Sequence, residues 1–183
     1  MNDKGKKDVI VLRLSHRKNR DRRVTTHVIL VARAFSAKKC FYTGDKDEEL
    51  EKRIKKVVEK WGGDFQIEYS ENWKTLLKEL KRKEYSVVHL TMYGIPIQNL
   101  IDEIKDKKNI VVIVGSEKVP REVYELANYN IAITNQPHSE IAALTIFLDR
   151  IFDGTELYRE FENARIRVIP SERGKKVIKD DNL

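Results

Sequence analysis

The sequence contains a single cysteine and no long apolar run, and each shortage excludes a class of protein. Because Cys40 is the only cysteine among 183 residues, the chain can form neither an internal disulfide nor a thiolate metal cluster. No apolar run approaches the roughly 18 residues that a membrane-spanning helix needs. Residues 1 to 8 are polar and charged, unlike a secretory signal peptide. We therefore expect a cytoplasmic protein with no membrane partner.

Phosphate-binding glycine loops and metal-binding spacings are also lacking. The eight glycines form neither a Walker P-loop nor a GxGxxG motif, which argues against an ordinary NTPase or nicotinamide enzyme. The four histidines are scattered without an HxxxH or His/Cys spacing, so we expect no metal site. No GxSxG motif surrounds His138 and Ser139, which favours a loop-bracing role for His138 over a hydrolase role. His89, in an apolar strand, is most simply a hydrogen-bonded core histidine.

Charge is abundant, and its placement is more informative than its total. Charged residues make up 36% of the chain, and the net charge is +7. Six cations fall within eleven residues, opposed only by Asp21: Arg13, Arg17, Lys18, Arg20, Arg22 and Arg23. Such a run is usually solvated and inert. Here it lies between a predicted buried strand and a predicted helix, where it would meet the phosphates of a nucleic acid at a defined place.

Apolar periodicity predicts strands that alternate with helices along most of the chain. Strands are predicted over 9–14, 39–43, 65–69, 85–90, 109–114 and 130–134. Helices are predicted over 24–35, 47–61, 72–83, 97–105, 121–127 and 141–151, with 156–164 helical and 165–169 extended near the end. The alternation predicts a single α/β domain over 1–183, with a mainly parallel sheet and flanking helices. Residues 1–7 and 171–183 are predicted to form flexible tails.

The stretch from 126 to 148 is nearly free of charge and surrounds a polar loop. Its single charged side chain is Glu140, at the end of the loop 135–140. A polar loop between a strand end and a helix N-terminus offers free backbone N–H groups to a small ligand or an anion. It can equally be a plain turn in which Ser139 caps the helix and nothing is bound. This stretch alone does not favour either interpretation.

Proline and glycine mark three consecutive loops. Pro96, Pro120 and Pro137 each close a loop after one of the last three predicted strands, and Gly94 and Gly115 lie in the same loops. Proline fixes the backbone and glycine allows close approach, which suggests that these loops are shaped for a purpose. Ligands of open α/β sheets bind beyond the carboxyl ends of the strands. The three loops together therefore predict a pocket.

Three long segments resemble the archaeal tRNA cytidine-56 2′-O-methyltransferases of the SPOUT superfamily. They are LRLSHRKNRDRRVTTHVILVARAFSA (12–37), VGSEKVPREVYELANYNIAITNQPHSEIAALTIFLDR (114–150) and FENARIRVIPSERGKKV (161–177). The resemblance implies a C-terminal deep trefoil knot whose loops bind S-adenosylmethionine, a homodimer, and methylation of a ribose in the T-loop at the tRNA elbow. Two alternatives remain: a SPOUT enzyme acting on another RNA ribose, and a non-catalytic tRNA-binding protein of this fold.

The resemblance also implies site residues by position. The methyl-donor site would contain Leu90, Thr91, Gly115, Ser116, Glu117, Lys118, Val119, Ile133, Thr134, Asn135, Gln136, Pro137, His138, Ser139 and Glu140. The RNA-binding residues would be Arg13, His16, Arg17, Lys18 and Arg22. These donor-site positions overlap the proline-closed loops, which were identified without reference to any family.

Catalysis is expected to depend on the arginines. A ribose 2′-hydroxyl is a poor nucleophile, and arginine stays protonated, so arginine would orient the hydroxyl or bind the adjacent phosphate. Arg23 is the first candidate and Arg20 the second, with His27 assisting or bracing the helix.

Ser15 and Ser36 stand where the family is expected to have glycine, and a positive φ at either position would cost free energy.

Overall fold

The computed structural model describes residues 7–115 and 118–179. Its strands are β1 (Asp8–His16), β2 (Lys39–Gly44), β3 (Gln66–Tyr69), β4 (Ser86–Pro96), β5 (Asn109–Val114), β6 (Tyr129–Ala132), β7 (Ile166–Ile169) and β8 (Lys176–Lys179). Its helices are α1 (Arg22–Ala34), α2 (Glu48–Trp61), α3 (Trp73–Arg82), α4 (Ile101–Lys105), α5 (Arg121–Leu126) and α6 (Glu140–Phe152). Two short 3-10 turns span Ile97–Asn99 and Thr155–Tyr158. None of these helices is long and apolar enough to cross a membrane.

Six strands form one parallel sheet in the order β3-β2-β1-β5-β4-β6. The apolar runs of β1 and β5 lie at its centre, as expected for strands that are covered on both faces. Helices α1 and α6 cover one face, where Val28 and Phe147 join Val11 and Val112 in the core. Helices α3 and α5 cover the other face. The predicted α/β class and the mainly parallel sheet are confirmed.

Helix α6 explains the stretch of low charge. Ser139 is its N-cap and accepts a hydrogen bond from the backbone N–H of Ile141 at 3.1 Å. Ala143, Leu144, Phe147, Leu148 and Ile151 are buried, so this helix presents a wide apolar face to the sheet and to α1. The absence of charge around Glu140 therefore reflects burial of the helix.

Strand β4 is longer than its sequence predicts. Residues 91–96, predicted as a loop, continue the strand, with a break in register between Leu90 and Ile95 where it pairs with β6. The backbone crosses β6 so closely that a Cβ on Gly94 would lie 2.5 Å from the carbonyl oxygen of Asn130. Glycine is therefore required here by close approach, and the segment is an irregular strand. The helix predicted over 97–105 is likewise interrupted, at Leu100.

The helix predicted over 156–164 is wrong beyond one 3-10 turn. Tertiary contacts hold the following residues in an irregular segment with a turn at Glu162 and Asn163. The Phe161 ring lies 4.4 Å from the guanidinium carbon of Arg33 and 5.1 Å from that of Arg159. The backbone N–H of Gly63 also donates to the carbonyl of Glu162 at 2.8 Å. Strands β7 and β8 then form an antiparallel hairpin, so a strand occupies part of the predicted tail. The trefoil knot and the single-domain boundary remain predictions.

Candidate functional site

A cavity of about 440 Å³ opens at the carboxyl ends of β4 and β5. This volume falls in the usual range for small-ligand sites. Most of its described walls come from the loop before α1, the end of β4, the loop after β5 and the loop before α6, with Arg13 of β1 and Tyr124 of α5. Seven of the residues predicted for the methyl-donor site line it, namely Leu90, Thr91, Gly115, Val119, Pro137, His138 and Glu140. The end of β4, which includes part of the predicted loop 91–96, meets the loops after β5 and before α6 at this cavity.

Gly115 and Val119 pack closely in the loop after β5. A Cβ on Gly115 would lie 2.1 Å from Cγ2 of Val119, so a larger residue at this position would force the Val119 side chain to shift. Lys118 is exposed beside it. Ser116 and Glu117, also predicted for the site, lie outside the described residues.

The loop before α6 is tied to the end of β4 by side-chain hydrogen bonds. The Asn135 amide donates to the carbonyl oxygens of Met92 at 2.7 Å and of Gly94 at 3.1 Å. Nδ1 of His138 lies 2.6 Å from the carbonyl oxygen of Gln136. This contact agrees with a loop-bracing role for His138, which in addition lines the cavity.

The other residues predicted for this loop lie away from the cavity. Ile133 packs against the core, Thr134 and Gln136 are exposed, and Ser139 caps α6. These four residues are not among the described residues that line the cavity.

Arg13 lies beneath the cavity, and its position corrects its predicted role. Its side chain is 1% exposed, and Nη2 lies 3.3 Å from Oε1 of Glu140. Nη1 also donates to the carbonyl oxygen of Gly115. Burial lowers the pKa of the guanidinium, and the Glu140 carboxylate opposes that shift. Arg13 therefore joins β1, the loop after β5 and α6, and has no surface for RNA.

His16 is also buried, contrary to its predicted contact with RNA. Nδ1 lies 2.9 Å from Oγ1 of Thr25, and Nε2 lies 3.5 Å from Oδ2 of Asp47. Arg22 reaches the same carboxylate, with Nε donating to Oδ2 at 2.9 Å. Burial lowers the pKa of His16, whereas Asp47 opposes the shift. Asp47, which sequence reasoning missed, thus holds the base of the cationic loop, and its N-cap position before α2 was the available signal.

The remaining cations divide into two groups. Arg17 and Arg20 line the cavity, and Nε of Arg17 donates to Oδ2 of Asp21 at 2.7 Å. Lys18 is exposed nearby, while Arg23 and His27 are exposed on α1 and lie outside the described group that lines the cavity. The structure therefore brings Arg20, and not Arg23, to the predicted donor loops.

Two lining residues were missed or underrated. His89 is buried, with Nδ1 2.9 Å from Oδ1 of Asn130, which confirms its interpretation as a hydrogen-bonded core histidine. It also lines the cavity, together with Tyr124, whose hydroxyl is 3.1 Å from Oγ1 of Thr91. The signal for His89 was its place one residue before Leu90, at the strand end. Among residues 7–115 and 118–179, no group of three or more acidic, histidine or cysteine side chains could hold a metal.

Comparisons with known proteins agree with this arrangement. A family model described as tRNA ribose 2′-O-methyltransferase, aTrm56, matches residues 61–178. The tRNA (cytidine(56)-2′-O)-methyltransferase of Methanopyrus kandleri is 55% identical over 92% of this chain and 94% of its own. That of Thermococcus kodakarensis is 52% identical over 94% of this chain and 98% of its own.

Solved structures resemble the fold at much lower identity. The SpoU methyltransferase AviRb from Streptomyces viridochromogenes, in complex with the cofactor AdoMet, superposes with a TM-score of 0.63 at 12% identity. The match covers 82% of this chain and 58% of that one. The fold is thus that of the SpoU methyltransferases. The family model, the two relatives and the cavity lead to one conclusion: the chain belongs to the tRNA ribose 2′-O-methyltransferase family.

Proposed function

We propose that the chain transfers a methyl group from S-adenosylmethionine to the ribose 2′-oxygen of cytidine 56 in tRNA. One observation carries the proposal: Arg17 and Arg20 line the same cavity as the three loops expected to hold the methyl donor. The cations and the cofactor loops are far apart in sequence and meet only in the fold. The names of the close relatives, each a tRNA (cytidine(56)-2′-O)-methyltransferase, supply the nucleotide.

The residues of the cavity fit S-adenosylmethionine. The cofactor is part apolar and part charged, and the walls combine Leu90, Val114 and Val119 with Arg13 and Glu140. Gly115 lets the apolar side chain of Val119 pack directly against the main chain in the cavity wall. When bound, the cofactor supplies a methyl group activated by a sulfonium.

Arg20 is the residue best placed to act on the ribose. An arginine stays protonated at neutral pH, so it works by binding and by charge and not as a base. Its guanidinium would hold the 2′-hydroxyl in line with the methyl group and stabilise negative charge that develops on the oxygen as the proton passes to solvent water, which reaches the exposed Arg20. Arg17, held by Asp21, would bind the neighbouring phosphate. We therefore place Arg20 ahead of Arg23.

The exposed cations around the cavity would dock the tRNA. Lys18, Arg20 and Arg23 are exposed on the loop before α1 and its first turn, where they would meet phosphates of the T-loop at the tRNA elbow. We further propose a cytoplasmic homodimer. Ile95 and Ile146 are large apolar side chains at the surface, 51% and 42% exposed, and a second copy would cover such surface.

Methylation mapping tests the proposal. The protein is incubated with S-adenosylmethionine and an unmodified tRNA transcript, and the product is digested and sequenced for 2′-O-methylated nucleotides. We expect methylation of cytidine 56, and none in a matched transcript that carries 2′-deoxycytidine at that position. Methylation elsewhere would indicate another target ribose. No methylation, with tRNA binding but no cofactor binding in calorimetry, would indicate a non-catalytic tRNA-binding protein.

A further inference from the structure

His89 is a fully buried histidine with one ring nitrogen unaccounted for. It lies on β4 between Ile113 of β5 and Asn130 of β6, and its side chain is 0% exposed. It also lines the cavity. The family resemblance does not include it among the donor-site residues.

The surrounding hydrogen bonds fix the tautomer of the ring. Nδ2 of Asn130 donates to the carbonyl oxygen of Tyr124 at 3.0 Å, so Oδ1 of the same amide faces Nδ1 of His89 at 2.9 Å. An amide oxygen only accepts hydrogen bonds, and therefore Nδ1 carries the proton. Burial lowers the pKa of His89 and keeps the ring neutral near pH 7. Nε2 is then a lone-pair acceptor.

Nε2 has no hydrogen-bond partner among the described residues, although it is buried. The Tyr124 ring lies against the imidazole with centroids 4.6 Å apart and planes at 89°, and Thr91 holds its hydroxyl. The imidazole is thus held on one nitrogen and by its ring face. A buried acceptor left without a hydrogen-bond donor is unfavourable, so a ligand that supplies the donor gains affinity.

The two faces of the sheet give the cavity two chemically different ends. Along β4, His89 has the orientation of Val87, which packs on the side of α3 and α5. Along β1, Arg13 has the orientation of Val11, which packs on the side of α1 and α6. The charged end, with Arg13 and Glu140, suits the amino-acid part of a methyl donor. Among the described lining residues, those beside His89, namely Thr91 and Tyr124, are uncharged, which suits a nucleoside.

We infer that Nε2 of His89 accepts a hydrogen bond from the nucleoside part of the bound methyl donor, through the adenine amine or a ribose hydroxyl. This inference rests on the proposed function, because it takes S-adenosylmethionine as the ligand of the cavity. It makes His89 a binding residue for the donor, in addition to its place in the core.

Calorimetry with two ligands tests the assignment. S-adenosylhomocysteine contains both parts of the donor, whereas 5′-methylthioadenosine lacks the amino-acid part. We expect His89→Phe to weaken both ligands about tenfold, the effect of one hydrogen bond lost in a buried site. We expect His89→Gln, whose amide oxygen can replace Nε2 as acceptor, to stay within about threefold of wild type. Val87→Ala, on the same face of β4, controls for general loosening of the strand.

Each outcome decides a different point. If His89→Phe weakens S-adenosylhomocysteine but not 5′-methylthioadenosine, the group that donates the hydrogen bond to His89 lies in the amino-acid part, and the inference is overturned. Unchanged binding by a folded His89→Phe protein would also overturn it, while leaving the proposed function intact. If the wild type binds neither ligand, the proposed function itself fails. An analogue of S-adenosylhomocysteine whose 6-amino group is replaced by hydrogen separates the two candidate hydrogen-bond donors. If it binds wild type and His89→Phe with equal affinity, the adenine amine is the donor. If wild type still binds it more tightly, a ribose hydroxyl is the donor.

A spectroscopic measurement needs no substitution. In protein labelled with ¹⁵N-histidine, the Nε2 resonance of His89 should be that of an unprotonated nitrogen, and it should move to lower frequency when S-adenosylhomocysteine binds. A proton on Nε2 in the free protein, or an unmoved resonance in the complex, would overturn the inference.

Discussion

Arg13, on the first strand, forms an ion pair with Glu140, the first residue of the last long helix, at 3.3 Å. The pair lies under the cavity and explains why the one charge between residues 126 and 148 is an acid. Because Arg13 is 1% exposed and Glu140 31%, the pair is shielded from water on one side only. It connects the strand that precedes the cationic loop to the loop that precedes α6.

Removing this pair should destabilise the fold. We expect Arg13→Met to lower the free energy of unfolding by about 2–4 kcal/mol, because Glu140 and the Gly115 carbonyl then lose their partner. Urea unfolding measures the change. The matched control is Arg121→Met, whose pair with Glu125 is exposed on α5 and should change stability by less than about 0.5 kcal/mol. Equal effects for the two variants would contradict a structural role for the Arg13 pair.

Arg20 and Arg23 should differ in what they affect. We expect Arg20→Ala to reduce the rate of methyl transfer by at least about 100-fold, with binding of S-adenosylhomocysteine within about twofold of wild type. Arg23→Ala should mainly weaken tRNA binding, since Arg23 is exposed outside the cavity.

Single-turnover rates and filter binding with the tRNA transcript separate these effects. Lys78→Ala, which removes an exposed cation on α3, is the control for net charge. A normal single-turnover rate for Arg20→Ala would remove Arg20 from the mechanism.

Two serines carry the backbone strain expected from the sequence. Ser15 and Ser36 have φ values of +57° and +67°, in the region that glycine adopts most easily. Relief of this strain outweighs the greater freedom of glycine in the unfolded chain, so Ser15→Gly and Ser36→Gly should each stabilise the protein by about 0.5 kcal/mol. Thermal unfolding measures the gain. Gly174→Ala is the reverse control: φ is +92° and nothing lies within 4 Å of an added Cβ, so any loss of stability there comes from the backbone.

Two buried histidines should make stability depend on pH. Burial lowers the pKa values of His16 and His89 from 6.5, so the unfolded chain binds more protons than the folded one below that pH. The folded protein favours the neutral form of both rings, so the stability linked to them is fully present above pH 6.5. It is lost as the pH falls below 6.5, because the unfolded chain then gains protons first. Urea unfolding between pH 7.5 and 5.5 should show this decline. In His89→Gln the decline over this range should be smaller, because one of the two groups is gone; an unchanged decline would assign it to other residues.

The sequence predicts most strands and helices because their apolar spacing is local. It also predicts the convergence of three loops, because parallel strands end at one edge of a sheet. It does not predict that residues 91–96 form a strand, since that follows from their pairing with β6, where Ile95 lies opposite Ile131 and Pro96 opposite Ala132. Nor does the sequence predict that Arg20 lines the cavity while Arg23 does not, because that difference depends on how α1 packs against the sheet. The burial of Arg13 is likewise a long-range result, set by its distant partner Glu140.

The cavity walls run from Arg13 in β1 to Ala143 in α6. A chain still emerging from the ribosome has no such cavity until the start of α6 has left the exit tunnel and joined the sheet. Partly synthesised copies can therefore neither hold the methyl donor in this cavity nor pass its methyl group to RNA. In this fold, the cavity can bind its cofactor only after α6 has been synthesised and has packed against the sheet.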